Sequence, residues 1–146
     1  MNLNIGFFIR HFTERGTEVA IYDYAYYNQK LYNNKSYIIC FSEYTQKKIN
    51  FPLTRASYNK FKSQFPIIEI NSIDDMASVI KEYNLSHFYT LTHGAHDIYK
   101  FTDKNIWNNC ITIKHCVFTA IVQDADINLV VSDSVCIKTK TLPHMI

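Results

Sequence analysis

Six short apolar runs recur along the chain, and polar segments separate them. Runs of this length, bounded by turn-forming or polar residues, are typical of buried strands. Because the runs are nearly continuous and do not alternate with polar residues, both faces of each strand are predicted to be buried, as in a parallel sheet. The six predicted strands are Leu3–Ile9, Ser36–Phe41, Pro66–Ile70, His87–Leu91, Cys110–His115 and Ile127–Val131.

Segments with helical spacing lie between these strands. The longest runs from Thr17 to Tyr32, where apolar residues recur every three or four positions. Shorter helices are predicted to begin at Ser42–Glu43 and at Ser72, which opens a capping-box-like sequence, and a further helix could restart at Thr54. Strands that alternate with helices indicate an α/β fold: a Rossmann-like, doubly wound, mainly parallel sheet of about six strands with helices on both faces.

Size and composition fit one domain that spans residues 1–146, since 47% of the residues are hydrophobic. The formal net charge of +2 comes without a basic block, which argues against a nucleic-acid partner. Neither a signal-peptide pattern nor an apolar run of membrane-spanning length occurs, so a cytoplasmic protein is expected. The four cysteines lack C-x-x-C spacing, and reduced, mostly buried thiols are expected.

A polar loop follows the first predicted strand and leads into the first helix. Ligands of such sheets bind beyond the carboxyl ends of the strands, near the point where strand order reverses. A helix start adds backbone N–H groups and a partial positive charge, which suit a phosphate or a sugar hydroxyl. The alternative is a solvated turn with Thr17 as N-cap and Gly16 at positive φ. The candidate residues are Arg10, His11, Thr13, Glu14, Arg15, Gly16 and Thr17.

Polar residues also follow the fourth and fifth predicted strands. His93, Gly94 and His96 are candidates for substrate binding. With Asp97, the two histidines could instead be metal ligands, but they are too close in sequence to complete a site without a distant partner, so no metal or cofactor is expected. His115 could exchange a proton with a sugar hydroxyl; the alternative is a buried histidine that is hydrogen-bonded to the backbone.

The segment Phe8–Ala25 resembles the opening of GT-B glycosyltransferase-like proteins of bacteria and large DNA viruses. It carries the Arg-Gly-Thr of residues 15–17 followed by the Tyr-Asp-Tyr-Ala of residues 22–25. The later segments Leu91–Gly94 and Ile113–Phe118 are similar, in order and position, to the N-terminal, acceptor-side domain of that fold. The chain differs at Gln123–Asp126, where the family has a His-Gly-Asp-like turn.

The resemblance implies a glycosyltransferase domain that contributes the acceptor side of sugar transfer from a nucleotide sugar to a carbohydrate or glycoconjugate. It implies that the loop from His11 to Gly16 faces an interdomain cleft. It also implies that His115 corresponds to the histidine that lies near the donor sugar and acceptor hydroxyl in retaining members of the family. His115 and His11 are therefore the expected catalytic residues, and a second domain or a partner chain is expected to supply the donor half. The alternative is a non-catalytic α/β binding or assembly module.

Overall fold

The computed structural model describes residues 2–50, 53–94, 98–132 and 135. Its centre is one six-stranded sheet in which every pair of neighbouring strands is parallel. The α/β prediction is confirmed, and each predicted strand bound lies within one residue of the observed bound. The strands are β1 (Asn4–Phe8), β2 (Lys35–Phe41), β3 (Ile67–Ile70), β4 (His87–Thr92), β5 (Ile111–Cys116) and β6 (Ile127–Val130).

Helices connect the strands on both sides of the sheet. Capping residues explain where several helices begin and end. The Ser42 hydroxyl accepts a hydrogen bond from the Thr45 N–H at the start of α2. Asn33 and Asn84 adopt left-handed φ where α1 and α4 end. A 3₁₀ turn, Ile73–Asp75, precedes α4. The helices are α1 (Gly16–Tyr32), α2 (Glu43–Lys48), α3 (Arg55–Gln64), α4 (Met76–Tyr83) and α5 (Lys104–Trp107). None of the described helices is long and apolar enough to cross a membrane.

The start of α1 differs from the solvated turn that was the alternative to a ligand site. Arg15, and not Thr17, is the N-cap, and its side chain makes no capping hydrogen bond. Gly16 is the first helical residue and does not have positive φ; among the described glycines only Gly94 does.

Side chains of adjacent strand residues pack on opposite faces of the sheet. On the front face, Phe7 and Leu91 pack with Ile21 of α1 and Phe61 of α3. On the rear face, which Phe8 shares, the core includes Ile39, Phe88, Met76 of α4 and Trp107 of α5. Burial on both faces explains why the strands have nearly continuous apolar sequences.

The strand order is β3-β2-β1-β4-β5-β6. From β1 at the centre, β2 and β3 follow in order toward one edge of the sheet. The chain then crosses back to β4, beside β1, and β5 and β6 follow in order toward the other edge. Connections leave β1 and β4 in opposite directions, which opens a crevice above their carboxyl ends. The loops that begin at Ile9 and His93 lie at this point.

The connection from β5 to β6, residues 117–126, contains no helix. Lys114 of β5 is fully buried; its ammonium donates to the Val122 carbonyl at 3.1 Å and forms an ion pair with Asp124. The Thr112 N–H and hydroxyl both donate to the Asp126 carboxylate at 2.8 Å. Asp124 and Asp126, in the segment that differs from the resembled family, thus hold this connection against β5.

The turn after β4 fixes the first half of the same connection. The carbonyl oxygen of His93 accepts from the Thr119 N–H at 3.0 Å, and that of Gly94 accepts from the Ile121 N–H at 3.1 Å. Gly94 has φ +94°, and a Cβ there would overlap the Thr119 carbonyl oxygen. The position therefore requires glycine for conformation and for space.

Gly94→Ala is expected to lower the free energy of unfolding by at least about 2 kcal/mol, because it combines an unfavourable φ with overlap against backbone. Urea denaturation would measure the change. Gly16→Ala is the matched control: a Cβ there meets nothing within 4 Å, so its effect should stay within about 1 kcal/mol. Equal effects of the two substitutions would contradict the role given to Gly94.

Lys114→Met is expected to lower the free energy of unfolding by about 2–4 kcal/mol, because it leaves the Asp124 carboxylate and the Val122 carbonyl without their buried partner. Lys104→Met is the control, since Lys104 and Asp126 form an exposed pair at 3.8 Å that should contribute less than about 1 kcal/mol. Urea denaturation of both variants tests this, and a Lys114→Met protein as stable as the wild type would contradict it.

Candidate functional site

A cavity of about 690 Å³ lies above the carboxyl ends of β1 and β4, at the switch in strand order. The loop after β1 and the first two turns of α1 form one side of it. The ends of β4 and β5 and the residue after β6 form the other. The lining residues are Ile9, Arg10, His11, Arg15, Gly16, Thr17, Glu18, Ala20, Ile21, Tyr24, Leu91, Thr92, His93, Val117, Phe118 and Val131.

The loop after β1 contributes most of its predicted residues to this cavity. Two predicted residues of the loop do not line it: Glu14 is exposed, and the carbonyl of Thr13 accepts a hydrogen bond from the Ser57 hydroxyl of α3 at 3.1 Å. The predicted loop residues that line the cavity are Arg10, His11, Arg15, Gly16 and Thr17.

Glu18 is a site residue that the sequence analysis did not identify. It is 3% exposed although it lies in the first turn of α1, and its carboxylate faces His11 with Oε1 3.5 Å from Nδ1. The Thr17 hydroxyl donates to the other carboxylate oxygen at 2.8 Å. The signal available in the sequence is a carboxylate in the first turn of a helix that directly follows a histidine-bearing loop.

The environment of His11 favours its neutral form. Burial lowers the pKa of His11 below its usual 6.5, and the positive charges of Arg10 and Arg15 lower it further. The Glu18 carboxylate opposes this shift. A neutral imidazole at pH 7 that is held by a carboxylate can accept a proton from a bound hydroxyl, and the carboxylate then stabilises the cation that forms.

The opposite side of the cavity is largely apolar. Tyr24 of α1, Leu91 of β4, and Val117, Phe118 and Val131 form what we call the apolar wall. The Phe118 ring packs against the His93 ring, with centroids 5.2 Å apart, yet Phe118 remains 64% exposed. The cavity therefore has an ionisable side at the start of α1 and an apolar side at β5 and β6.

Comparison with solved structures shows what the fold is similar to. The fold matches the crystal structure of a glycosyltransferase from Rickettsia africae ESF-5, with a TM-score of 0.61 and 16% sequence identity over 94% of this chain. The chain shares its fold with a glycosyltransferase. It spans 38% of the length of that protein. No protein-family model and no curated protein matches the sequence.

The predicted residues after β4 have different positions. His93 lines the cavity, whereas Gly94 is buried beside it and shapes the connection from β5 to β6. His96 and Asp97, on which the metal alternative depends, lie outside the described residues.

His115 lies in the core and is not one of the residues that line the cavity. It is 2% exposed, and its Nδ1 is 2.7 Å from the Tyr89 hydroxyl oxygen. Its Nε2 is buried and makes no hydrogen bond to the described residues. His115 is thus buried, as the alternative to a functional role expected. The Tyr89 hydroxyl is its partner at Nδ1, and the backbone of Val130 also acts on the ring. Burial lowers the pKa of His115, and the backbone of Val130 partly offsets this shift.

The pKa values of His11 and His115 are lower in the folded than in the unfolded state. As the pH falls below 6.5, the unfolded chain therefore binds protons first. Acidification from pH 7 to pH 5 should therefore destabilise the protein. His115→Gln keeps a hydrogen-bonding group for Tyr89 but removes the titration, so the variant should lose less stability. Urea denaturation at both pH values measures the two losses, and equal losses would contradict this role of His115.

Proposed function

We propose that this chain is the acceptor-side domain of a GT-B glycosyltransferase, which transfers a sugar from a nucleotide sugar to a hydroxyl of a carbohydrate or glycoconjugate. The observation that carries the proposal is the pairing of His11 with buried Glu18 inside a cavity at the sheet's switch point. The fold shared with a glycosyltransferase supports it.

In this proposal His11 is the general base. It accepts the proton of the acceptor hydroxyl while the oxygen forms a bond to the anomeric carbon of the donor sugar. The bond from that carbon to the phosphate oxygen breaks, and the nucleotide diphosphate leaves with the electron pair. Glu18 orients the imidazole and stabilises its protonated form, as the carboxylate partners of catalytic histidines do.

The start of α1 would contact the donor phosphates from the acceptor side of the cleft, and a second domain or a partner chain would supply the rest of the donor site. Arg10 and Arg15 provide positive charge beside the cavity. The first backbone N–H groups of α1 lie at the end of the helix that borders the cavity. Gly16 supports this role, because neither its φ nor its packing requires glycine, and the missing Cβ lets a ligand approach the backbone. Charge that develops on the departing diphosphate would be stabilised there. The predicted role of His115 remains a prediction, and its burial gives it no place in this scheme.

His11→Asn is expected to reduce sugar transfer by about 100-fold or more, because a general base contributes roughly that much. The assay follows transfer of labelled sugar from a panel of nucleotide sugars by the whole protein that contains this domain. His87→Asn is the control, since His87 begins β4 at the opposite edge of the sheet. Equal transfer by wild type and His11→Asn would overturn the assignment of the base.

The pH profile tests Glu18 separately. Activity that requires neutral His11 should fall on the acid side, at a pH below 6.5, because the folded protein lowers the pKa of His11. Glu18→Gln removes the charge that raises this pKa, so the acid limb should move to still lower pH while the maximal rate drops. An acid limb that stays in place would show that Glu18 does not act through His11.

Binding of uridine, guanosine and thymidine diphosphates to this chain tests the phosphate site. Nuclear magnetic resonance titration should shift the amide signals of Gly16 and Thr17, and Arg15→Gln should weaken binding by about tenfold, as loss of one charged contact does. Lys47→Gln, on exposed α2, is the matched control. Shifts confined to other parts of the chain would contradict a phosphate site at α1.

A specific observation also favours the second candidate, a non-catalytic assembly module. Phe118 and Ile121 are exposed on the connection from β5 to β6, and an exposed apolar patch is the expected mark of a protein contact. Light scattering separates the two candidates: a stable dimer that binds no nucleotide diphosphate would favour the module over the enzyme.

A further inference from the structure

The two sides of the cavity differ in chemistry. The side at the start of α1 carries His11, Glu18 and two arginines, whereas the apolar wall carries no ionisable side chain except the Tyr24 phenol. A phosphate would meet the two arginines on the first side only, whereas a sugar hydroxyl group would find partners there and at Thr92 and His93, where β4 ends. The apolar wall itself offers few such partners. Part of the second side remains accessible, since Phe118 is 64% and Val131 38% exposed.

The apolar wall continues out of the cavity along the front face of β6. Along β6, alternate residues face opposite sides of the sheet, and Val130 packs with Cys116 on the rear face. The front face therefore carries Ile127, Leu129 and Val131. Leu129 is half-buried, and Ile127 is exposed like Val131. These three positions extend the apolar surface by about 13 Å from the cavity, at the usual rise of a strand.

Helix α1 presents a matching apolar stripe beside this surface. Ala20, Tyr24, Tyr27 and Leu31 are spaced by four, three and four residues, which places them on one side of the helix. Ala20 and Tyr24 line the cavity, and the Tyr24 ring contacts the Tyr89 ring of β4, so this side faces away from α3. Tyr27 and Leu31 are exposed. The stripe and the front face of β6 are thus two apolar surfaces, and β5 lies between β4 and β6 in the sheet. We call the front-face surface between the stripe and β6 the channel. At one end it meets the cavity, which Ala20, Tyr24 and Val131 line.

We infer that the acceptor is an amphiphile, with a hydroxyl-bearing polar head at His11 and Glu18 and an apolar chain that lies along the apolar wall and the channel. The inference rests on the proposed function, because it identifies the acceptor class for the same cavity. The continuity of the channel with the cavity supports one molecule that spans both. A polar oligosaccharide would leave the apolar wall and the channel exposed to water.

Two glucosides that share one head and differ in the apolar part test this inference on the chain itself. Octyl β-D-glucoside, kept below its micelle concentration, is compared with methyl β-D-glucoside by nuclear magnetic resonance titration. Octyl glucoside should bind at least about tenfold more tightly, since each buried methylene contributes about twofold to fourfold. Amide signals of Tyr24, Val117 and Phe118 should shift only with the octyl compound.

Two substitutions of exposed residues locate the chain without threatening the core. Phe118→Ser and Val131→Thr should each reduce the advantage of octyl over methyl glucoside by about threefold or more, because each removes apolar contact area. Tyr44→Ser, which removes an exposed aromatic ring from α2, is the matched control and should leave the advantage unchanged.

Equal affinities of the two glucosides, or no binding of either, would overturn the inference. An advantage that survives in Phe118→Ser and Val131→Thr would also overturn it, since the octyl chain would then bind elsewhere. Dimers detected by light scattering that octyl glucoside does not dissociate would assign the channel to a second copy of the chain.

The same measurements separate this inference from the proposed function. If octyl glucoside fails to bind but nucleotide diphosphates shift Gly16 and Thr17, and the whole protein transfers sugar to a polar acceptor, the inference fails and the proposed function stands. If octyl glucoside binds as expected but no nucleotide sugar binds or reacts, the amphiphile site stands and the enzymatic proposal fails.

Discussion

Every strand of this sheet runs parallel to its neighbours, so each connection must carry the chain from the carboxyl edge back to the amino edge across one face. Helix α1 lies in the return that leaves β1, on the front face, and α5 lies in the return that leaves β4, on the rear face. The change of face between these two returns is what separates the loops after β1 and β4. The cavity, with His11 and Glu18 on one side and the apolar wall on the other, occupies the space that this separation leaves.

The same constraint explains what the sequence could predict. A strand that is buried on both faces needs apolar residues at nearly every position, so β1, β2 and β4 are visible as runs. The loop after β1 could also be predicted from the sequence. In an α/β protein, a charged segment between an apolar run and an amphipathic helix is typically the loop that follows a strand at its carboxyl end. These features depend on neighbours in sequence.

Features that depend on contacts between residues far apart in the sequence could not be predicted in this way. The burial of Glu18 follows from how the loop after β1 folds over the first turn of α1, and helical spacing alone gives no sign of it. His115 ends a strand as predicted, but whether its ring meets a cavity or a core depends on Tyr89, 26 residues away. The role of Gly94 depends on the Thr119 carbonyl, which reaches it only when β5 pairs with β4.

The backbone hydrogen bonds between the turn after β4 and the connection from β5 to β6 separate two properties of the cavity rim. Carbonyls of Thr92, His93 and Gly94 hold residues 117–122 through main-chain N–H groups, so the path of this segment does not depend on which side chains it carries. Phe118 and Ile121 can therefore be exchanged for other residues while the rim keeps its shape. In evolution or in engineering, the chemistry of this rim can change one side chain at a time, with each step compatible with a folded protein, as long as the glycine that permits the turn is kept.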